Sequence, residues 1–358
     1  MNILKKWRIV SIVIFITTLI LLGSCASITG PAYYSHMIAG EAKILVASTP
    51  ISKLLADKTI PNELRRNLQH VQEMRDFAVY ELGLPKTDSY TSYSDTGREF
   101  AAWVVTATPE FSVNPKMWCH PIAGCFSYLG FFDKDRAIQA QQTLIHQKYD
   151  VSIRGSVAYS TVGWFSDPVL NTVFRYSDAS LAGTIFHEIS HERVRINDDP
   201  TYRESFASFV GKMGQYLWMK KHNDGESAEK FLIKSERNLQ FAKLLSKTRK
   251  ELRSLYKKDI PEETMRRMKA ETISKMRERY SELAKTWDGY PDYSTWIAGP
   301  HNNADIAGED EYNSLIPFFQ KLFDLSHQKF PAFYARAEAI ANLPKIERYI
   351  EIEKIMAK

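Results

Sequence analysis

The sequence predicts an α+β fold in which a small β-sheet lies beside a mostly helical bundle. Three observations predict it. Apolar residues recur at helical spacing over much of residues 26–85. Residues 98–165 are instead rich in β-branched and aromatic residues, and Asn, Gly and Pro punctuate them as they do strands. From Ala179 onward the pattern is again overwhelmingly helical.

The N-terminal residues 1–24 have the features of an export signal. A basic n-region precedes an uncharged apolar run from Ile9 to Leu22, which is short for a membrane-spanning helix. The following Leu22-Gly23-Ser24-Cys25 resembles the bacterial lipobox, in which the cysteine is acylated and becomes the first mature residue. We therefore expect a lipoprotein signal peptide over 1–24 and lipidation of Cys25. An uncleaved membrane anchor is the alternative.

This N-terminus also predicts where the mature chain resides. Acylated Cys25 would hold an exported bacterial protein on the lipid bilayer of the cell envelope. Ala26, rather than Asp, follows the cysteine, and this resembles outer-membrane sorting in a host with two membranes. We expect a lipoprotein on the periplasmic face of the outer membrane.

The net charge of +5 arises mostly from the predicted signal. The full chain has 47 Lys and Arg against 42 Asp and Glu, and residues 1–24 contain three basic and no acidic residues. The mature chain therefore carries 44 basic against 42 acidic residues. This near balance does not favour a polyanionic ligand, and we expect no nucleic-acid partner.

The first mature segment, residues 25–97, is expected to be helical. Leu64, Leu68, Val71 and Met74 recur at helical spacing, and Pro61 suits the N-terminus of a helix.

The next segment, residues 98–220, is expected to combine a sheet with helices, and it begins with strands. The predicted strands are Ala101–Thr106, Phe126–Phe132 and Val151–Thr161, with a helix over Asp135–Gln147. The part from Val157 to Thr161 has the placement of an edge strand, which can pair with an extended segment by backbone hydrogen bonds. An ordinary sheet strand is the equal alternative.

Two cysteines bracket a short loop in this region. Cys119 and Cys125 enclose a Pro and a Gly that would turn the chain. Thiols of exported proteins tend to pair, so we expect a disulfide between them. A metal site of Cys119, His120 and Cys125 is the alternative.

The pattern H-E-x-x-H occurs at His187-Glu188-Ile189-Ser190-His191, in a helix that Asp178 is expected to cap. Two histidines four residues apart share one helical face and can hold zinc, with the intervening Glu acting on water. Leu181, Ile185 and Ile189 fall on roughly the opposite face. The histidine face is therefore not the core face, which favours one Zn²⁺ over a pair of core histidines.

A third zinc ligand is predicted on the following helix. In the metzincin pattern, a Gly three residues and a His six residues after the second His complete the site. These positions are Val194 and Asn197 here, so the metzincin arrangement is excluded. Asp199 and Pro200 are typical of N-cap and first helical positions, and they begin a helix expected to reach Lys220. On its face of small residues, Glu204 is the side chain that can reach across to a neighbouring helix. This would complete a His₂Glu set with one open position; a surface or ion-paired glutamate is the alternative.

A zinc ion held by these residues would activate water for hydrolysis, which makes residues 98–220 the expected catalytic core. Zinc lowers the pKa of a bound water from about 16 toward 7, so Glu188 would take its proton at neutral pH. A further donor is needed for the oxyanion that develops on the attacked carbonyl. Tyr159, His301 and Tyr312 are candidates on their chemistry alone.

The remaining chain is predicted to be helical. Residues 221–287 form a charge-dense helical hairpin, broken near Asp259-Ile260-Pro261, with one buried face. Residues 288–358 form a structured loop followed by the last helices.

Several of these segments together resemble a bacterial family named putative (predicted) aminopeptidase, which comprises exported HExxH zinc peptidases of gluzincin-like type. The resemblance covers essentially the whole mature chain. It is carried by 118–125 (W-C-x-P-x-A-G-C), 158–168 (A-Y-S-T-x-G-W-F-x-D-P), 186–191 (F-H-E-x-x-H), 204–211 (E-S-F-A-S-F-V-G) and 302–304 (N-N-A). His120 departs from the aromatic residue expected in the cysteine loop.

The resemblance implies a zincin-like fold and metallopeptidase activity on peptide substrates, with aminopeptidase as the family's name. A membrane-anchored zinc aminopeptidase is therefore the leading hypothesis. A zinc endopeptidase or cell-wall peptide hydrolase is one alternative, and a non-catalytic envelope-binding lipoprotein is another. The intact Glu188 speaks against the last of these. The sequence assigns no oligomeric state.

Overall fold

The structure, a computed structural model, describes residues 28–120, 124–158, 166–196, 198–222, 225–287, 292–307 and 314–357. It confirms the α+β class, with small sheets beside many helices. The helices are α1 Pro31–Ala47, α2 Ile51–Ala56, α3 Asn62–Tyr80, α4 Lys134–His146, α5 Asp178–Ser190, α6 Pro200–Lys221, α7 Gly225–Leu255, α8 Glu262–Lys285, α9 Ser294–Ala298, α10 Asn303–Ile306, α11 Ile316–Leu325, α12 Phe330–Ala341 and α13 Lys345–Ala357. The strands are β1 Thr49–Pro50, β2 Ser92–Ser94, β3 Ala102–Pro109, β4 Trp118–His120, β5 Gly124–Phe126, β6 Leu129–Phe131, β7 Tyr149–Ser156 and β8 Val169–Leu170.

Among the described residues, the strands form three small sheets rather than one. The central sheet has the order β6-β3-β7 and is antiparallel, so Val104 of β3 lies between Gly130 and Arg154. Strands β1, β2 and β8 form a second sheet, and β4 pairs with β5 in a hairpin. Strands β1 and β2 fall inside the segment 25–97 that was predicted to be helical.

The predicted strand from Val151 to Thr161 is shorter than expected. Strand β7 ends at Ser156, and Val157 and Ala158 lie outside any strand. Their carbonyls accept hydrogen bonds from side chains instead: Thr172 Oγ1 donates to Val157 and Ser156 Oγ to Ala158. The expected edge strand is therefore absent at these two residues, and its remainder, from Tyr159, lies outside the described residues.

The cap of α5 was also predicted wrongly, by one residue. Ser177 has extended backbone angles and its side chain accepts the Ser180 N–H, whereas Asp178 is the first helical residue. The Asp178 carboxylate is bound elsewhere, by His70 Nδ1 at 2.8 Å and Trp218 Nε1 at 3.2 Å. Both contacts fix α5 against neighbouring helices.

Helix α6 begins as predicted. The Asp199 side chain accepts the Tyr202 N–H at 3.1 Å, and Pro200 is the first helical residue. The helix ends at Lys221, one residue beyond the expected end.

The largest core lies between α3, α5, α6 and the C-terminal helices α11 to α13. Phe186 of α5, Phe206 of α6 and Phe333 of α12 are fully buried in it. Separate cores lie within the α7–α8 hairpin and between the central sheet and α4. The two helices that carry the candidate site therefore belong to the most extensive packing of the protein.

The Asn-Asn-Ala segment at 302–304 joins the hairpin to the central sheet. Buried Asn303 donates its backbone N–H to Asp150 of β7 and its side-chain amide to the Glu110 carbonyl, and accepts the Tyr256 hydroxyl at 2.8 Å. Lys269 of α8 also binds Asp150. These contacts give the motif a structural role.

The cysteine loop forms the β4–β5 hairpin, in which a disulfide joins Cys119 and Cys125. The two sulfur atoms that the alternative metal site would need are therefore bonded to each other. His120 packs on Tyr33 and Tyr34, and a hydrogen bond of 3.0 Å joins its Nδ1 to the Tyr34 hydroxyl.

The predicted leader, 1–24, and the lipidation site Cys25 lie outside the described residues. Within the part of the chain that the structure describes, no helix is long and apolar enough to cross a membrane.

Candidate metal centre

The apolar residues and the two histidines of α5 lie on different faces of the helix, as the sequence predicts. Leu181, Ile185 and Ile189 are buried in the large core. His187 and His191 lie one turn apart on another face, with ring centroids 4.9 Å apart. Although α5 ends at Ser190, His191 keeps right-handed helical angles as its C-cap, so the four-residue spacing of the histidines is preserved.

Glu204 reaches this face because α5 and α6 approach closely at glycines. A Cβ atom built on Gly211 would lie 2.8 Å from the Gly183 carbonyl oxygen and 3.0 Å from the His187 Cβ. Side chains larger than hydrogen are therefore excluded at the crossing. Glu204 is seven residues before Gly211 on the same face of α6, which brings its carboxylate to the two histidines.

The three side chains place their donor atoms around a common point. Glu204 Oε2 is 3.6 Å from His187 Nε2 and 3.6 Å from His191 Nε2, and all three ligand atoms lie within 4.8 Å of one another. A separation of 3.6 Å is too long for a hydrogen bond. It is close to the roughly 3.4 Å between donors that each lie about 2.0–2.2 Å from a tetrahedral zinc ion. The residues therefore fit a metal ion.

Burial sets the protonation states that a metal would need. Burial and the neighbouring His187 lower the pKa of His191 to about 4, so its imidazole is neutral at neutral pH. Burial alone would raise the pKa of Glu204, but His187, His191 and Arg203 together hold it below its usual value. Two imidazoles and one carboxylate form a donor set typical of catalytic zinc.

Arg203 was not anticipated from the sequence. Its Nε donates to Glu204 Oε1 at 3.2 Å, while Oε2 of the same carboxylate faces the histidines. Such second contacts orient a ligand. His191 Nδ1 is buried and has no hydrogen-bond partner among the described residues.

The acidic residues that were set aside as ligands are bound elsewhere. Glu192 Oε1 accepts the Thr87 hydroxyl at 2.6 Å. Asp198 and Asp199 both accept hydrogen bonds from Arg348 of α13.

Of the three candidate donors for the oxyanion, only His301 is among the described residues; Tyr159 and Tyr312 lie outside them. His301 stacks on Trp296, with ring centroids 3.9 Å apart, and Trp296 packs against the hairpin core. Its contacts in the structure do not join it to the histidine and glutamate cluster.

Tyr90 is the second residue that the sequence did not reveal. Burial, together with the charges of Glu188, Asp167 and Glu192, raises its pKa well above the usual value. A tyrosine 98 positions before Glu188 shares no sequence pattern with it, so only the fold shows this association.

A cavity of about 250 Å³ runs along the seam of α5 and α6 beside His187. Six of its eight lining residues have polar or charged side chains, and Lys212 is one of them. The lining residues are Ser180, Gly183, Thr184, His187, Ser208, Gly211, Lys212 and Gln215. This cleft therefore opens beside His187, one of the three clustered donors.

We expect Gly211→Ala to destabilise the protein and loosen the site. The added methyl must displace the Gly183 backbone or His187, which overpacks the crossing and should lower the free energy of unfolding by about 1–3 kcal/mol. Urea denaturation measures this loss. Gly225→Ala is the matched control, because no atom of the described residues lies within 4 Å of its added methyl. Equal stability of the two variants would contradict the proposed tight crossing.

No curated protein and no solved structure matches this chain. A family model described as "Putative aminopeptidase" does match, over residues 32–352. The matched region contains α5, α6, the three clustered donors and nearly all the packing that supports them. The chain belongs to this putative aminopeptidase family.

Proposed function

We propose that the protein is a zinc-dependent peptidase, with aminopeptidase as its leading activity. The observation that carries the proposal is the convergence of His187 Nε2, His191 Nε2 and Glu204 Oε2, each imidazole nitrogen 3.6 Å from the same carboxylate oxygen. The family's name supports a peptidase, and the donor set supports zinc.

When bound by these three residues, a zinc ion would acidify water and polarise the carbonyl of a peptide bond. Glu188 lies between the two ligand histidines in the sequence and is not one of the three clustered donors. We assign to its carboxylate the proton transfers: it accepts a proton from the attacking water and returns it to the departing amine. Glu204 and the histidines hold position, and Arg203 orients the Glu204 carboxylate.

The proposal includes the location. We propose that Cys25 is acylated and becomes the first mature residue, and that the described part of the chain acts on peptides at the surface of an envelope membrane. A single acyl chain gives only reversible membrane binding, so stable attachment would require further acylation or contacts.

Peptides with free and acetylated N-termini, assayed side by side with the mature zinc-loaded protein, test the activity. An aminopeptidase should cleave the free peptide and leave the acetylated one intact. Equal cleavage of both would assign an endopeptidase or cell-wall peptide hydrolase instead. Cleavage of neither by protein that holds one zinc per chain would oppose the peptidase proposal.

Glu204→Ala is expected to weaken zinc binding by about 100-fold or more, because removing a direct ligand should cost at least as much as removing a second contact. Zinc per chain after dialysis against a graded chelator measures the effect. Glu192→Ala is the matched control: it removes a nearby carboxylate that binds Thr87, and it should keep its zinc. The opposite result for the two variants would move the third ligand to Glu192.

A further inference from the structure

Helix α1 begins close to the predicted lipidation site and packs one of its faces firmly against the protein. Tyr33 and Ile44 are buried on that face. Gly40 lies between them, where a Cβ atom would come within 2.0 Å of the Phe132 ring. This contact leaves no room for a side chain, so it determines which face of α1 points outward.

The opposite face of α1 is apolar as well. Ile38 is 69% exposed on it and Val46 is 87% exposed. Three exposed alanines share the face with them: Ala32, Ala39 and Ala42. Ser35 and Lys43 are the only exposed polar residues of the helix. A helix at a water-facing surface normally presents charged and polar residues there, whereas a helix that is apolar on all sides is typical of a buried environment.

Aromatic side chains at the β4–β5 hairpin continue this face. Tyr34 lies one turn before Ile38, and its ring centroid is 5.7 Å from that of His120. The Phe126 ring lies 5.9 Å from His120, and the Tyr128 ring lies 5.9 Å from Phe126. All four rings are partly exposed, and burial lowers the pKa of His120, so the imidazole is uncharged at neutral pH. These four rings and the exposed face of α1 together form the α1 surface.

The chain brings the α1 surface close to the predicted lipid anchor. Ile28 packs against the core between the central sheet and α4, and Tyr34 packs against the same core. Ile28 is three residues after Cys25, and a chain of that length spans at most about 11 Å. An acyl group on Cys25 would therefore bring a bilayer within reach of Tyr34 and the start of α1.

We propose that the α1 surface lies on the phospholipid bilayer, with Ile38 and Val46 inserted among the headgroups. This inference rests on the proposed acylation of Cys25. Apolar helix faces bind the membrane interface in proportion to the area they bury, and Tyr rings are typical of the boundary between lipid and water. The α1 surface would thus supply the contacts that a single acyl chain needs for stable attachment. Lys43, at its edge, would meet the phosphates of anionic lipids.

A nitroxide label on Ala39→Cys tests the contact, in acylated mature protein reconstituted into vesicles of phosphatidylethanolamine and phosphatidylglycerol. Cys119 and Cys125 do not react with the label, because they are joined. Bilayer contact should make the label severalfold less accessible to a water-soluble nickel chelate and more accessible to oxygen, which concentrates in lipid. Ile346→Cys is the control, since Ile346 is an exposed isoleucine of α13 and a label there should remain accessible to nickel.

Charged substitutions test whether the apolar side chains make the contact. Ile38→Asp combined with Val46→Asp, in the labelled Ala39→Cys protein, should raise nickel accessibility to the level measured for Ile346→Cys, because a carboxylate resists transfer out of water. Ile346→Asp in the same labelled protein should leave nickel accessibility low. Ile38 and Val46 are exposed, so the variants should keep their fold, and circular dichroism checks this.

The outcomes separate this inference from the proposed activity. Equal nickel accessibility at positions 39 and 346 would overturn the bilayer contact and leave the peptidase proposal untouched. Nickel protection without a gain in oxygen accessibility, at a level that rises with the amount of protein per vesicle, would overturn it in favour of a second copy of this chain. A mass spectrum without an acyl group on Cys25 would remove the proposed anchor together with this inference. A protein that shows the expected accessibilities and cleaves no peptide would remove only the proposed activity.

Discussion

Glu188→Gln is expected to lower kcat for peptide cleavage by about 10²–10⁴-fold while the protein retains its zinc. Glutamine has nearly the size of glutamate but its amide does not take up a proton at neutral pH. Since Glu188 is not among the three clustered donors, its replacement should leave the metal centre assembled. The variant therefore separates proton transfer from metal binding.

Steady-state kinetics on a free peptide and zinc per chain, measured on the same preparation, check this expectation. Glu338→Gln is the control, since Glu338 pairs with Arg193 at the surface of α12 and should retain full activity. Activity in Glu188→Gln above about a tenth of the wild-type level would assign the general base to another group. A loss of zinc would instead make Glu188 part of the metal site.

The clustering of His187, His191 and Glu204 could be predicted because the information for it is local. The histidine spacing and the Glu204 face each follow from the helical period, and Asp199 with Pro200 specifies where α6 begins. Helices α5 and α6 are also close in the sequence. Two consecutive helices therefore supply all three candidate ligands. The small residues of α6 also indicated the close approach, which Gly183 and Gly211 now account for.

Features that depend on distant contacts could not be predicted. Asp178 lost the capping role to Ser177 because His70 and Trp218, far away in the sequence, bind its carboxylate. The strand predicted to continue past Ser156 ends there because Thr172 binds the Val157 carbonyl. The influence of the Glu188 charge on the pKa of Tyr90 likewise arises only through the tertiary fold. In each case a long-range partner determines the local structure.

The ion pair that supports the start of α6 is the furthest-reaching of these contacts. Arg348 of α13 is 2% exposed and donates from Nη1 to Asp199 Oδ2 at 3.0 Å; Asp199 itself is 1% exposed. Arg348 Nη2 donates to Asp198 and to the carbonyls of Ala341 and Leu343. The last helix thereby neutralises the buried N-cap of the helix that carries Glu204.

Arg348→Ala is expected to lower the free energy of unfolding by about 3–5 kcal/mol, because it leaves the Asp199 carboxylate buried without its cation. Urea denaturation at neutral pH measures the loss. Lys354→Ala, which removes the cation of an exposed pair on the same helix, should cost at most about 1 kcal/mol.

The double variant Arg348→Met with Asp199→Asn identifies the cause of that loss. Asparagine still caps α6 through its side-chain oxygen but buries no charge, and methionine still packs where Arg348 lies over the Tyr202 ring. The double variant should therefore recover most of the stability. If it is no more stable than Arg348→Ala, the lost bonds to the Ala341 and Leu343 carbonyls outweigh the stranded charge. The contribution of Arg348 to stability would then come from its bonds to those two carbonyls, and Asp199 would cap α6 without needing a buried cation.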